Sequence, residues 1–123
     1  MIEHELSALY DCAHGAGLAV IVPAWMSYVV EHHDCMRFAQ MAVRVFGCQM
    51  DFENPKATAL EGISALKRFF SSIGMPINFK ELGAKKEDIP LLVEKLGIGD
   101  GKTGGFVSLD KEAITAIYEL AAE

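Results

Sequence analysis

The chain has 123 residues, of which 51% are hydrophobic, and a formal net charge of −6. That length suits one domain with a substantial core, and the negative charge gives no electrostatic reason to expect binding to nucleic acid or an anionic membrane. No window reaches the roughly 18 uninterrupted apolar residues of a membrane span, and no secretory signal is recognisable, so the expected compartment is the cytoplasm. Three cysteines without a CxxC pair indicate reduced thiols rather than disulfides or a zinc cluster.

The first predicted element is a helix over residues 2–11, in which Ile2, Leu6 and Leu9 form an apolar stripe. If this helix continued to His14, that histidine would lie roughly 15 Å from His4, too far for both to bind one ion. A shared site therefore requires a turn between Asp11 and Gly17, which the glycines permit.

The next predicted helix, over residues 18–30, is apolar nearly all round and is expected to be deeply buried. Pro23 lies inside it and predicts a kink or a late start. A polar break at 31–34 follows. Asp34 is a suitable N-cap for a mostly buried helix over residues 35–46, and Gly47 a suitable end.

The second half of the chain predicts three further helices and two irregular segments. Asn54 and Pro55 begin a helix in which Leu60, Ile63, Leu66, Phe70 and Ile73 keep the helical period to Gly74. A short turn at 80–84, an amphipathic helix at 88–96, a glycine-rich loop at 97–108 and a last helix capped by Asp110, with Ile114, Ile117, Tyr118 and Leu120 facing inward, complete the prediction. No alternating strand pattern appears, so the predicted class is all-α.

Several of these segments together resemble the iron-containing (group III) alcohol dehydrogenases, in particular the NAD(P)H-dependent butanol dehydrogenase branch. The resemblance is carried by HELSALYD, AHGAGLAV, PAWMSYV, RFAQMAVRVFG, TALEGISALKRFFSSIGMP and LGAKKEDIPLLVEKLG. It implies a helical bundle like the second half of the family's C-terminal metal-binding domain. Residues 1–123 are accordingly expected to form a single helical domain, without the family's N-terminal dinucleotide-binding domain.

The resemblance also implies roles for individual residues. His14 matches the family's last metal ligand. Without the resemblance, the residue would be interpreted as a core histidine that is hydrogen-bonded to the backbone at a helix start. His4 matches the histidine beside the metal that faces nicotinamide and substrate and helps to position the alcohol or relay its proton; a partly exposed helix histidine is the alternative. Lys102 and Thr103 correspond to a segment that borders the substrate pocket, although a solvated loop explains them equally well.

The other metal ligands of the family have no counterpart, because the second histidine would stand one residue before Met1. One imidazole cannot hold a catalytic metal tightly, since such sites need about three protein ligands. The resemblance therefore predicts part of an alcohol (butanol) dehydrogenase that uses Fe(II) or Zn(II) and NAD(P)H to interconvert small alcohols and aldehydes. This chain alone is expected to be inactive and to bind neither cofactor tightly. A non-enzymatic helical module that self-associates or binds a partner is the alternative, and homo-oligomerisation is expected.

Overall fold

The computed structural model describes residues 14–95 and 108–123, apart from the side chain of His14. Those residues contain no β-strand, and the all-α class is confirmed. They form α1 (His14–His32), α2 (Met36–Phe46), α3 (Pro55–Ser72), α4 (Phe79–Leu82), α5 (Ile89–Lys95), preceded by a 3-10 turn (Lys86–Asp88), and α6 (Lys111–Ala122). None of the described helices has both the length and the apolar character that crossing a bilayer requires.

Helix α1 is the central element, because both parts of the hydrophobic core are built on it. Its first half packs with α4, α5 and α6 around Val20, Leu92 and Ile117, all essentially without solvent exposure. Its second half packs with α2 and α3 around Val29 and Val30. Trp25 lies between the two clusters and contacts both. A helix that is buried on opposite sides must be apolar nearly all round, as its sequence predicts.

Helix α1 is longer than predicted at both ends. It begins at His14 rather than Leu18 and continues through the buried Pro23 to His32. Gly15 and Gly17 are therefore helical, and the turn that a site shared by His4 and His14 would require is not made at these glycines. Each glycine costs a helix about 1 kcal/mol relative to alanine, which weakens α1 locally without ending it.

The ends of α2 agree closely with prediction. The helix begins one residue later than predicted, with Cys35 instead of Asp34 at the N-cap position. The Asp34 carboxylate still accepts a hydrogen bond from the Met36 N–H at 3.0 Å. Gly47 ends the helix in the left-handed conformation, at φ 70°.

The prediction that α2 is mostly buried is wrong. Only Phe38, Ala39 and Ala42 are buried, whereas Met36 is 49% and Val45 69% exposed. The reason is that α1 and α3 both pack against one side of α2, and no described element covers the other.

Helices α2 and α3 approach each other through small residues. A Cβ atom added to Gly62 of α3 would lie 2.5 Å from the Cβ of Ala42 in α2. Helix α3 begins at Pro55, as predicted, but its buried side consists of Thr58, Ala59, Gly62 and Ile63. Of the large apolar residues that keep the helical period, Ile63 is buried and Leu60 packs partly buried against the core. Leu66 and Phe70 are partly buried, and Ile73 is 58% exposed.

The C-terminal helices follow the prediction. The predicted turn at 80–84 is α4, whose N-cap Asn78 accepts the Glu81 N–H at 2.9 Å. Asp110 accepts the Ala113 N–H at 2.8 Å and so caps α6. The inward residues Ile114, Ile117 and Tyr118 are fully buried, whereas Leu120 is only partly so. The helix predicted at 2–11 and most of the loop predicted at 97–108 lie outside the described residues.

Candidate metal and substrate site

The candidate metal ligand His14 is the first residue of α1. The two glycines that follow His14 show what lies near this end of the helix. Gly17 is buried, and a Cβ atom added to Gly15 would lie 3.9 Å from the terminal methyl of Met75. The start of α1 therefore lies beside the loop that joins α3 to α4. Because α1 contributes to both parts of the core, the backbone of His14 belongs to the central element of the described fold.

A complete metal site is not formed by the described residues. No three His, Cys, Asp or Glu side chains among residues 15–95 and 108–123 are arranged so that they could hold a metal ion. The described part of the chain therefore does not form a whole metal centre, and the role of His14 as a ligand stays a prediction. His4, Lys102 and Thr103 lie outside the described residues, and their roles stay predictions.

The other two histidines in the described part of the chain, His32 and His33, lie at the opposite end of α1 from His14. His32 and His33 are exposed at the C-terminal end of α1. The ring of His32 stacks on Tyr28 with centroids 4.2 Å apart, and its Nδ1 lies 3.0 Å from the Tyr28 carbonyl oxygen. These contacts account for the position of His32 at the helix end, and no bound ligand is needed to explain it.

The two described cysteines, Cys35 and Cys48, are free thiols. Burial, followed by the nearby charge of Glu61, raises the pKa of Cys48. A thiol with a raised pKa is a weak nucleophile and metal ligand at neutral pH, because less of it is thiolate. We therefore assign Cys48 no part in the candidate site.

Sequence reasoning missed an open surface on α2. Arg37, Gln40 and Arg44 form a ridge, and a groove runs along each of its sides. The groove on the Trp25 side has a volume of about 420 Å³, and the one on the Phe52 side about 490 Å³. The sequence shows the polar stripe, but it does not show that the apolar residues beside the stripe are exposed.

Comparison with known proteins identifies the family. The family model described as "Fe-containing alcohol dehydrogenase family, C-terminal" matches residues 1–122. The probable NADH-dependent butanol dehydrogenase 1 of Bacillus subtilis is 35% identical over 118 residues, which are 96% of this chain and 30% of that protein. NADH-dependent butanol dehydrogenase A of Clostridium acetobutylicum is 31% identical, with 96% of this chain and 30% of that protein covered.

A solved structure agrees with these relatives. The crystal structure of NADH-dependent butanol dehydrogenase A from Thermotoga maritima superposes with a TM-score of 0.87 and 36% identity, over 99% of this chain and 32% of that one. The chain thus spans about a third of the length of the proteins that it matches. It belongs to the iron-containing alcohol dehydrogenase family and corresponds to the C-terminal helical part of its members.

Proposed function

We propose that this chain provides the His14-bearing part of the active site of an NAD(P)-linked, metal-dependent alcohol dehydrogenase. The reaction would interconvert small alcohols and aldehydes by hydride transfer. The observation that supports it best is the family match over residues 1–122, which includes the histidine that opens the central helix. The remaining ligands and the dinucleotide fold would come from the two thirds of the family polypeptide to which this chain does not correspond.

In this proposal each candidate residue has a separate task. The imidazole of His14 would hold one coordination position of Fe(II) or Zn(II), which when bound polarises the alcohol oxygen. His4 would lie beside the nicotinamide and position the alcohol or relay its proton. Lys102 and Thr103 would border the substrate pocket. The chain alone would be inactive, because one imidazole does not retain a catalytic metal.

One experiment tests this proposal on a complete active site. The part of the Thermotoga maritima enzyme that has no counterpart here is joined to this full chain, and NAD(P)-linked alcohol oxidation and bound metal are measured. We expect activity in this chimera and a loss of about 100-fold or more in His14→Ala, together with loss of bound metal. His33→Ala is the matched control, since His33 is exposed at the other end of α1. Full activity in His14→Ala would refute the role of His14.

A second measurement tests the unaided chain. Anaerobic isothermal titration with Fe(II), and titration with Zn(II), should show no site tighter than about micromolar, because one imidazole is not enough for a catalytic metal and the described residues contain no group of three ligands that could hold an ion. A tight 1:1 isotherm that His14→Ala abolishes would mean that the chain holds a metal without further polypeptide.

The exposed side of α2 supports a second candidate function. Met36, Val45 and Phe52 are all about half exposed or more, which is unusual for such large apolar side chains. A non-enzymatic helical module that self-associates would cover them. Sedimentation velocity tests this candidate: a homo-oligomer that Val45→Asp dissociates would support self-association through this side of α2, whereas a monomer of the chain alone would count against it.

A further inference from the structure

The outer side of α2 differs in charge from the chain as a whole. The chain carries a net charge of −6, yet the charged residues of α2 are two arginines, Arg37 and Arg44, with no acidic residue. Within the part of the chain that the structure describes, neither guanidinium has a carboxylate at ion-pairing distance. We call the surface formed by these arginines, Gln40, and the exposed Met36, Val45 and Phe52 the arginine face.

The arginine face combines its charge with apolar space. The groove on one side of the arginine ridge is lined by the apolar Trp25, Met26 and Val45. The groove on the other side is lined by Met36, Met50 and Phe52, with one carboxylate, that of Asp34, at the start of the helix. Phe52 is 88% exposed, and Val45 69%. Exposed apolar groups beside cations favour a partner that carries both apolar side chains and carboxylates.

The spacing of the two arginines specifies the shape of that partner. Arg37 and Arg44 are seven residues apart, so they lie on one side of α2 and about 10 Å apart along its axis. A partner helix with carboxylates two turns apart would face both guanidiniums, because its own rise per residue is the same. Its apolar side chains at the intervening positions would enter the grooves.

We infer that the arginine face binds an acidic amphipathic helix of the polypeptide that makes up the other two thirds of the family's enzymes. This inference rests on the proposed function. The chain reproduces the fold of the Thermotoga maritima enzyme over 99% of its own length but covers only 32% of that enzyme, so much polypeptide must contact this third. The side of α2 turned away from α1 and α3 is apolar, open and positively charged, and so offers that polypeptide a contact surface.

The test compares this chain alone with the same chain in the chimera described above. The double reversal Arg37→Glu/Arg44→Glu should leave the melting temperature of the chain alone within about 2 °C, since both side chains are exposed. In the chimera it should lower the melting temperature by about 5 °C or more. The control is Lys80→Glu/Lys111→Glu, which reverses the same charge at exposed sites on α4 and α6 and should behave alike in both proteins.

A second readout needs no variant and remains valid if the double reversal fails to fold. Hydroxyl-radical footprinting of Phe52 and Met36 should show about fivefold lower reactivity in the chimera than in the chain alone, because a covering helix excludes solvent from both side chains. Equal reactivity in the two proteins would overturn the inference. A dimer of the chain alone that the double reversal dissociates would also overturn it, in favour of a second copy.

The failure of this inference can be told apart from the failure of the proposed function. A chimera that oxidises alcohol but leaves Phe52 unprotected supports the function and overturns the inference. A chimera that protects Phe52 but remains inactive with bound metal supports the inference and contradicts the function.

Discussion

Replacement of Gly62 by alanine tests how closely α2 and α3 are packed. The added Cβ would lie 2.5 Å from the Cβ of Ala42 and 2.9 Å from its Cα. Neither atom belongs to a flexible side chain, so the helices must separate by roughly 1 Å to reach ordinary contact distance. That separation would weaken the contacts that bury Ala39 and Ile63 along the same interface.

The expected net effect is destabilising. Overpacking costs about 1 to 3 kcal/mol, and loosening the rest of the interface adds to it. Alanine in place of glycine within a helix returns at most about 1 kcal/mol. We therefore expect Gly62→Ala to lower the free energy of unfolding by about 2 kcal/mol, which corresponds to a melting temperature lower by about 8 °C for a chain of this size.

Two further variants make the assay specific. Thermal and urea unfolding followed by circular dichroism would compare Gly62→Ala with Gly15→Ala, where the nearest atom would be 3.9 Å away and no destabilisation is expected. Adding Ala42→Gly to Gly62→Ala removes the closest clash and should restore part of the loss, whereas independent effects would add. An unchanged or higher melting temperature for Gly62→Ala would refute the packing argument.

Two other predictions concern a helix cap and a thiol. Asp110→Ala removes the side-chain acceptor of the Ala113 N–H and should lower the free energy of unfolding by about 1 kcal/mol in urea titrations, whereas Asp110→Asn, which keeps an acceptor oxygen, should lose less. Glu61→Gln should speed alkylation of Cys48 by iodoacetamide at pH 8, because burial and then the Glu61 charge raise the pKa of that thiol, and removing the charge leaves more thiolate. An alkylation rate that did not change would show that burial alone controls this pKa.

Local signals in the sequence predicted the helices well. Gly47, Asn54 with Pro55, and Asp110 each mark a helix end in the structure, because capping depends on residues within one turn of that end. The start of α1 was missed by four residues, since glycines that permit a turn are also tolerated in the first turn of a helix. The local sequence is compatible with either a turn or a helix at Gly15 and Gly17, and in the folded chain, where α1 packs against the core, both residues are helical.

Which helix sides are buried was predicted less well, for a physical reason. In α3 the sequence offers large apolar residues at helical spacing, of which only Ile63 is fully buried; the structure also buries the smaller Thr58, Ala59 and Gly62. Small residues allow α2 and α3 to approach closely, so the buried side is chosen by how near two helices can come and not by hydrophobicity alone. The larger Phe69 and Ile73 remain about half exposed.

The candidate site could be predicted only through resemblance to the family. A single histidine before glycines has no spacing that distinguishes a metal ligand from a core residue, and the described residues contain no group of three ligands that would mark a metal site. What the structure does add is position: His14 opens the helix on which both parts of the core are built. The arginine face lies on α2, against the second half of that helix, so polypeptide bound there would be held relative to α1 as well. If His14 is one ligand of a metal that other polypeptide also binds, a contact such as the one proposed at the arginine face is needed. It would keep the other ligands at a fixed distance and orientation from His14, as a metal site requires.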